Sequence, residues 1–307
     1  MKSKKLLLRY IGFIPLSLLF SSISVAVGAG DEFRQVGDVV VMTAGERANV
    51  SGGIDYANAK PMPLTRAKKT DTSYSKRETG MPGFSSGNSG DGRLFEEVIP
   101  APLTSGSALD SLDKVEPAEY GTKKQPFSTA RADLYGLRVS VAYPYRASGK
   151  LFFNAPEGPF VCSASLIEPG VVVTAAHCVS EYGKNIFYSD FRYIPSYYFD
   201  GQAAVAPYGV WSWSKVWVMA DYLKGKKCSG GVVCESDVAV ILLEPKRDPM
   251  YARYSTGWLG YGWNKYGFSG TKTQITQIGY PVCLDDGQLM ERNDSQGVMR
   301  LPIKIIL

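Results

Sequence analysis

Histidine is almost missing from this 307-residue chain: a single imidazole, His177, has to serve any chemistry that needs one. Cysteine is sparse as well. None of the five occurs before residue 160, and no Cys-x-x-Cys pair is present. A zinc centre built from paired cysteines and several histidines is therefore not expected, and no metal or other cofactor is read from the chain. Charge of one sign is also lacking. The formal net charge is +5, and Lys2, Lys4, Lys5 and Arg9 account for four of it, which leaves +1 for the remainder. Neither a nucleic acid nor a membrane surface is an expected partner of so neutral a chain. One long apolar run stands out, Tyr10 to Val27, behind that basic head and before the small residues Val27-Gly28-Ala29. It has the make-up of a secretory signal over 1–29, removed before any membrane association persists. A secreted or periplasmic protein follows, and an oxidising compartment suits the cysteines.

The segment after the signal is poor in periodicity. From Gly30 to about Gly121 it carries small and polar runs such as Gly-Phe-Ser-Ser-Gly-Asn-Ser-Gly-Asp-Gly at 83–92. No helical or strand repeat is sustained. Residues 30–124 are expected to be a propeptide or low-complexity linker, ending at the basic pair Lys123-Lys124. Beyond about Leu134 short β-type segments alternate with turn residues, as in all-β barrels. In Val210–Met219, period two puts Trp211, Trp213, Lys215 and Trp217 on one face.

The richest stretch is 161–179: Val-Cys-Ser-Ala-Ser-Leu-Ile-Glu-Pro-Gly-Val-Val-Val-Thr-Ala-Ala-His-Cys-Val. Val171, Val172 and Val173 make a β-branched run suited to a buried strand. Thr174, Ala175 and Ala176 are small enough for an imidazole to sit where that strand ends. The segment resembles the general-base segment of chymotrypsin-like serine endopeptidases, in which Thr-Ala-Ala-His-Cys closes an apolar strand at the cleft edge. Tyr143-Pro144-Tyr145-Arg146-Ala147 and the Cys-x-Ala-Ser-Leu-Ile strand resemble bacterial glutamyl-endopeptidase-like members. The resemblance covers about residues 134–298. It implies an all-β, chymotrypsin-like double β-barrel, with the first barrel over 125–250 and part of a second over 251–307. The implied partner is a polypeptide substrate, and the chemistry is proteolysis through an acyl-enzyme.

Carried over residue by residue, the resemblance gives His177 the role of general base. Cys234-Glu-Ser-Asp-Val-Ala-Val-Ile-Leu-Leu resembles the aspartate segment, so Asp237 would orient the imidazole; Glu235 is a local rival with a poorer fit. Cys162 and Cys178 lie sixteen positions apart, a separation that a β-hairpin returns, and a bridge there would anchor the histidine turn. Cys228 and Cys234 bracket a five-residue loop that a second disulfide would close, which leaves Cys283 without a partner.

No segment supplies the family's Gly-x-Ser-Gly-Gly nucleophile loop after Gly-Tyr-Pro at 279–281. Twenty-six residues follow Pro281, and their one serine, Ser295, lacks the flanking glycines. Ser269 in Gly-Phe-Ser-Gly-Thr and Ser89 in Gly-Asn-Ser-Gly-Asp have partial outlines but stand in the wrong order relative to His177 or to Gly-Tyr-Pro. The expectation is a protease chain with a truncated second barrel and no nucleophile, hence inactive. A non-catalytic pseudoprotease that binds a protein partner is the alternative, and a truncated product that never accumulates is a third reading.

Overall fold

The structure is a computed structural model, which describes residues 32–45, 53–63, 81–95, 97–99, 127–133, 138–225, 236–245, 252–263, 266, 272–282 and 284–298. The expected signal, Lys123-Lys124, Cys228, Cys234, Glu235, Ser269 and Cys283 lie outside the described residues.

Strands dominate. In chain order the first six are β1 (Glu32–Val36), β2 (Val39–Thr43), β3 (Lys60–Pro61), β4 (Gly83–Ser85), β5 (Glu97–Ile99) and β6 (Phe127–Arg131). The central set is β7 (Ser148–Ala155), β8 (Gly158–Glu168), β9 (Val171–Thr174), β10 (Ser189–Pro195), β11 (Tyr198–Phe199), β12 (Ala204–Ala206), β13 (Trp211–Met219) and β14 (Ala239–Leu243). The last are β15 (Tyr261–Trp263), β16 (Lys272–Gly279) and β17 (Glu291–Val298). Among the described residues helix is confined to short turns, such as Ala220–Leu223 and Ala252–Thr256.

Six strands close into a barrel: β13 lies beside β10, then β7, β8, β9 and β14, which pairs again with β13. The fold is all-β, and these six strands form one closed barrel. Closure removes free sheet edges and packs one face of every strand inward. Leu151, Phe153, Leu166, Val172, Phe191, Trp213 and Ile241 fill its interior, each under 2% exposed. In β7 the residues Ser148 to Phe153 are buried one after another, because both faces are covered. Leu151 and Phe153 point into the barrel, whereas Phe152 and Lys150 point outward. Phe152 joins a second core with Ile194, Tyr197, Tyr280 and Met290. That second core receives β16 and β17, which form an antiparallel sheet completed by β6.

Three expectations change. The span 125–250 does not all enter the first barrel: Phe127–Arg131 (β6) pairs with β17 and so belongs to the second sheet. The tryptophans of β13 do not share one face. A bulge between Trp213 and Lys215 shifts the register against β14, so Trp211 and Trp213 are buried while Val216 and Val218, rather than Trp217, continue the inward row. An extra residue on one strand breaks the period-two pattern at that point. The region 30–124, expected to lack packing, contributes β1 to β5, all paired. Val40, Met42, Ile54 and Ile99 are each buried. These strands are two to five residues long, and all but β1, which pairs with β2, are held by backbone hydrogen bonds to partners far along the chain, so little side-chain periodicity announces them.

Candidate active site

The site is built on the hairpin of β8 and β9. Val171–Val173 pair on one side with Ser165–Glu168 of β8 and on the other with Val240–Leu242 of β14. Thr174 ends the strand, and its Oγ1 donates to the Ser163 carbonyl at 3.0 Å. Ala175 remains extended, then Ala176-His177-Cys178 makes one tight helical turn. Ala176 is fully buried beneath it, where a larger side chain would displace the turn. The turn is locked from behind by the Cys162–Cys178 disulfide, whose Cα atoms stand 6.2 Å apart.

The acid arrives from the neighbouring strand. β14 pairs with β9 so that Ala239 faces Thr174. Two residues further along that antiparallel register, Asp237 comes opposite Ala176 and beside His177. Its carboxylate takes two bonds from one residue. Oδ1 accepts the His177 backbone N–H at 2.9 Å, and Oδ2 lies 2.8 Å from Nδ1. Both side chains are nearly enclosed, at 11% exposed for the imidazole and 7% for the carboxylate. An ionised carboxylate only accepts, so Nδ1 carries the ring proton and Nε2 keeps its lone pair. Among the described residues no protein group hydrogen-bonds Nε2. The arrangement can therefore take a proton at Nε2 while the carboxylate stabilises the imidazolium that results.

Cys162, His177 and Cys178 bring their sulfurs and a ring nitrogen within 4.8 Å of one another. The sulfurs are bonded to each other, so neither is a thiolate, and one imidazole nitrogen is not a metal site.

The serines with partial nucleophile outlines lie in other settings. Ser295 is in the middle of β17, paired with Ile275 on one side and Phe127 on the other. Ser89 sits in a loop whose neighbours are the backbone of Tyr254–Gly257 and Arg146, and its Oγ meets the Gly90 carbonyl at 3.4 Å.

Two features at the seam between barrel and second sheet escaped the sequence reading. Gly279 of Gly-Tyr-Pro passes so close to β8 that an added Cβ would meet Ser163 Oγ at 2.9 Å. The next residue, Tyr280, donates its N–H to that same Oγ at 2.9 Å and its hydroxyl to the Tyr197 carbonyl at 2.8 Å. The second is Lys150, 2% exposed, whose Nζ donates to the Gly287 carbonyl at 2.8 Å and stands 4.4 Å from the Tyr197 ring centre. Burial pulls its ammonium down to about 7. The signal was present: in Ser-Gly-Lys-Leu-Phe-Phe, period two puts Lys150 on the same face as Phe152.

The barrel thus carries a nearly enclosed Asp–His pair at the end of a disulfide-locked strand. The family model described as Trypsin matches residues 138–197, the stretch that contains His177 and both bridging cysteines. The match covers about a fifth of the chain, and Asp237 falls outside it. Similar solved structures include the protease Anisep from Arthrobacter nicotinovorans, with a TM-score of 0.38 and 19% identity over 49% of this chain and 64% of that one. A thermostable serine protease AL20 from an extremophilic microorganism has a TM-score of 0.38 and 24% identity, covering 49% and 65%. A Glu endopeptidase in complex with MPD has a TM-score of 0.37 and 14% identity, covering 57% and 69%. The chain thus spans about two thirds of the length of these structures. No curated protein matches it.

Proposed function

We propose that this chain carries the general base and its orienting acid for a secreted or periplasmic serine-type endopeptidase acting on polypeptides through an acyl-enzyme. The observation that carries the reading is the double hold of Asp237 on His177, at Nδ1 and at the backbone N–H. It leaves Nε2 as the one basic ring position, which is what proton removal from a nucleophile requires. His177 is the proton acceptor, Asp237 orients it, and the Cys162–Cys178 bridge holds the turn. A disulfide supports an oxidising compartment. We propose further that these 307 residues do not hydrolyse peptides by themselves: among the described residues neither Ser89 nor Ser295 is hydrogen-bonded to His177, and Ser295 lies within the paired strand β17.

Long-range ¹⁵N–¹H correlation of the single imidazole above neutral pH tests the base. The expected tautomer has Nδ1 protonated and Nε2 bare; a spectrum with Nε2 protonated would refute the assignment. Casein hydrolysis and fluorophosphonate labelling test the inactivity. A label mapped to Ser89, Ser269 or Ser295 would overturn it.

A further inference from the structure

The amino-terminal segment 32–99 is stitched into the protease-like portion at four separate places. The β1–β2 hairpin lies along β13 with five residue pairs, from Val39 opposite Met219 to Thr43 opposite Lys215. It takes over the edge of β13 beyond the point where β10 pairs with Trp211 and Ser212. Its residue Met42 is 1% exposed inside the barrel core. β3 runs parallel to Phe160–Val161 on the half of β8 that β9 does not reach. β4 pairs with β15, and beyond it Asn88 and Trp258 exchange both backbone hydrogen bonds at 2.9 Å. β5 adds to β12, with Ile99 5% exposed. The fit at the third place is tight: Gly257, at φ +66°, has no room for a Cβ, which would fall 2.0 Å from the Asn88 carbonyl.

Strand addition of this kind draws affinity from main-chain hydrogen bonds and specificity from alternate side chains placed in pockets. Four such contacts on one tether act together, since each raises the effective concentration of the others. Their receptors, β8, β12, β13 and β15, all belong to the part of the chain after residue 127. We propose that residues 32–99 are a strand-donating partner of that part, a separable ligand that stays bound when the chain is cut between residues 100 and 126. The cut form is then a two-piece complex in which the amino-terminal piece still covers these edges. The proposal concerns binding alone and stands whether or not His177 acts as a catalytic base.

The test starts from the full chain with a site-specific protease recognition sequence inserted after residue 110. It is purified, cut, and passed through size exclusion in native buffer and again in denaturant. The expected result is co-elution of both pieces at the volume of the uncut chain in native buffer, and separation in denaturant. Elution of the amino-terminal piece by itself in native buffer overturns the proposal, whether the remainder stays folded or aggregates. A second measurement follows release of that piece on dilution. Met42→Ala, which empties a core position, is expected to speed release by roughly tenfold or more. Val36→Ala, at a 55% exposed position, is expected to leave it unchanged. Equal release from both variants would also refute the assigned interface.

Discussion

Replacing Lys150 with methionine should stabilise the protein near neutrality and destabilise it in mild alkali. The lysine stem reaches outward from β7 into the core shared with Tyr197, Tyr280 and Gln288, and among the described residues its ammonium has no carboxylate partner there. Its pKa falls from 10.5 to about 7 because burial penalises the charged form. Between these two values the unfolded chain binds a proton that the folded chain releases, so folding is progressively favoured as pH rises. At roughly 1.4 kcal/mol per pH unit, the drop corresponds to on the order of 4 kcal/mol of destabilisation carried at pH 7. The amine returns part of this through its bond to the Gly287 carbonyl, worth about 1–3 kcal/mol, and its place over the Tyr197 ring. Methionine fills much of the same volume, removes the ionisation cost and leaves the Gly287 carbonyl without its donor. The net expectation is a gain of about 1–3 kcal/mol at pH 7 that shrinks with pH and reverses before pH 10. Urea unfolding of both proteins at pH 6, 7, 8 and 9 at constant ionic strength measures it. A difference between variant and parent that does not change with pH would refute the reasoning, whatever its sign.

Other outcomes follow from the same geometry. Peptide mapping without reductant should recover Cys162 linked to Cys178, and the double alanine variant should lose about 2–4 kcal/mol, read as a lower urea midpoint. Asp237→Asn should leave the barrel folded by circular dichroism but slow diethyl pyrocarbonate modification of His177, since the amide no longer holds the proton on Nδ1 and Nε2 loses its standing lone pair; an unchanged rate would count against the pairing. Glu291, buried and next to the Asp285 carboxylate, has its own carboxyl raised to about 7. The folded state therefore binds the extra proton, and stability should fall as pH climbs from about 4.5 to 7. Glu291→Gln should flatten that fall in the same urea series. Gly257→Ala should destabilise by about 1–3 kcal/mol through left-handed strain and the clash with Asn88, measured by thermal unfolding.

The histidine turn could be read from the chain because its causes are local. A β-branched run makes β9, three small residues let the chain turn, and the apolar run from Val238 to Leu243 is an inner strand that places Asp237 at its start. Once β14 lies against β9, the antiparallel register brings acid and base together with no further choice. The bulge in β13 could not be read the same way. A period-two pattern assumes an unbroken ladder, and the extra residue near Ser214 shows only in the register of β13 against β14.

By itself, then, the sequence carried the all-β alternation and the close spacing of Cys162 and Cys178, whereas the Asp–His pairing was implied only by the resemblance of two segments sixty residues apart. The tertiary structure alone decided that residues 32–99 contribute strands to the fold, that β6 serves the second sheet, and that Lys150 is sealed against Tyr197. Those outcomes rest on backbone N–H and C=O groups meeting partners far along the chain. Every residue except proline carries both groups, so composition is silent about where they pair.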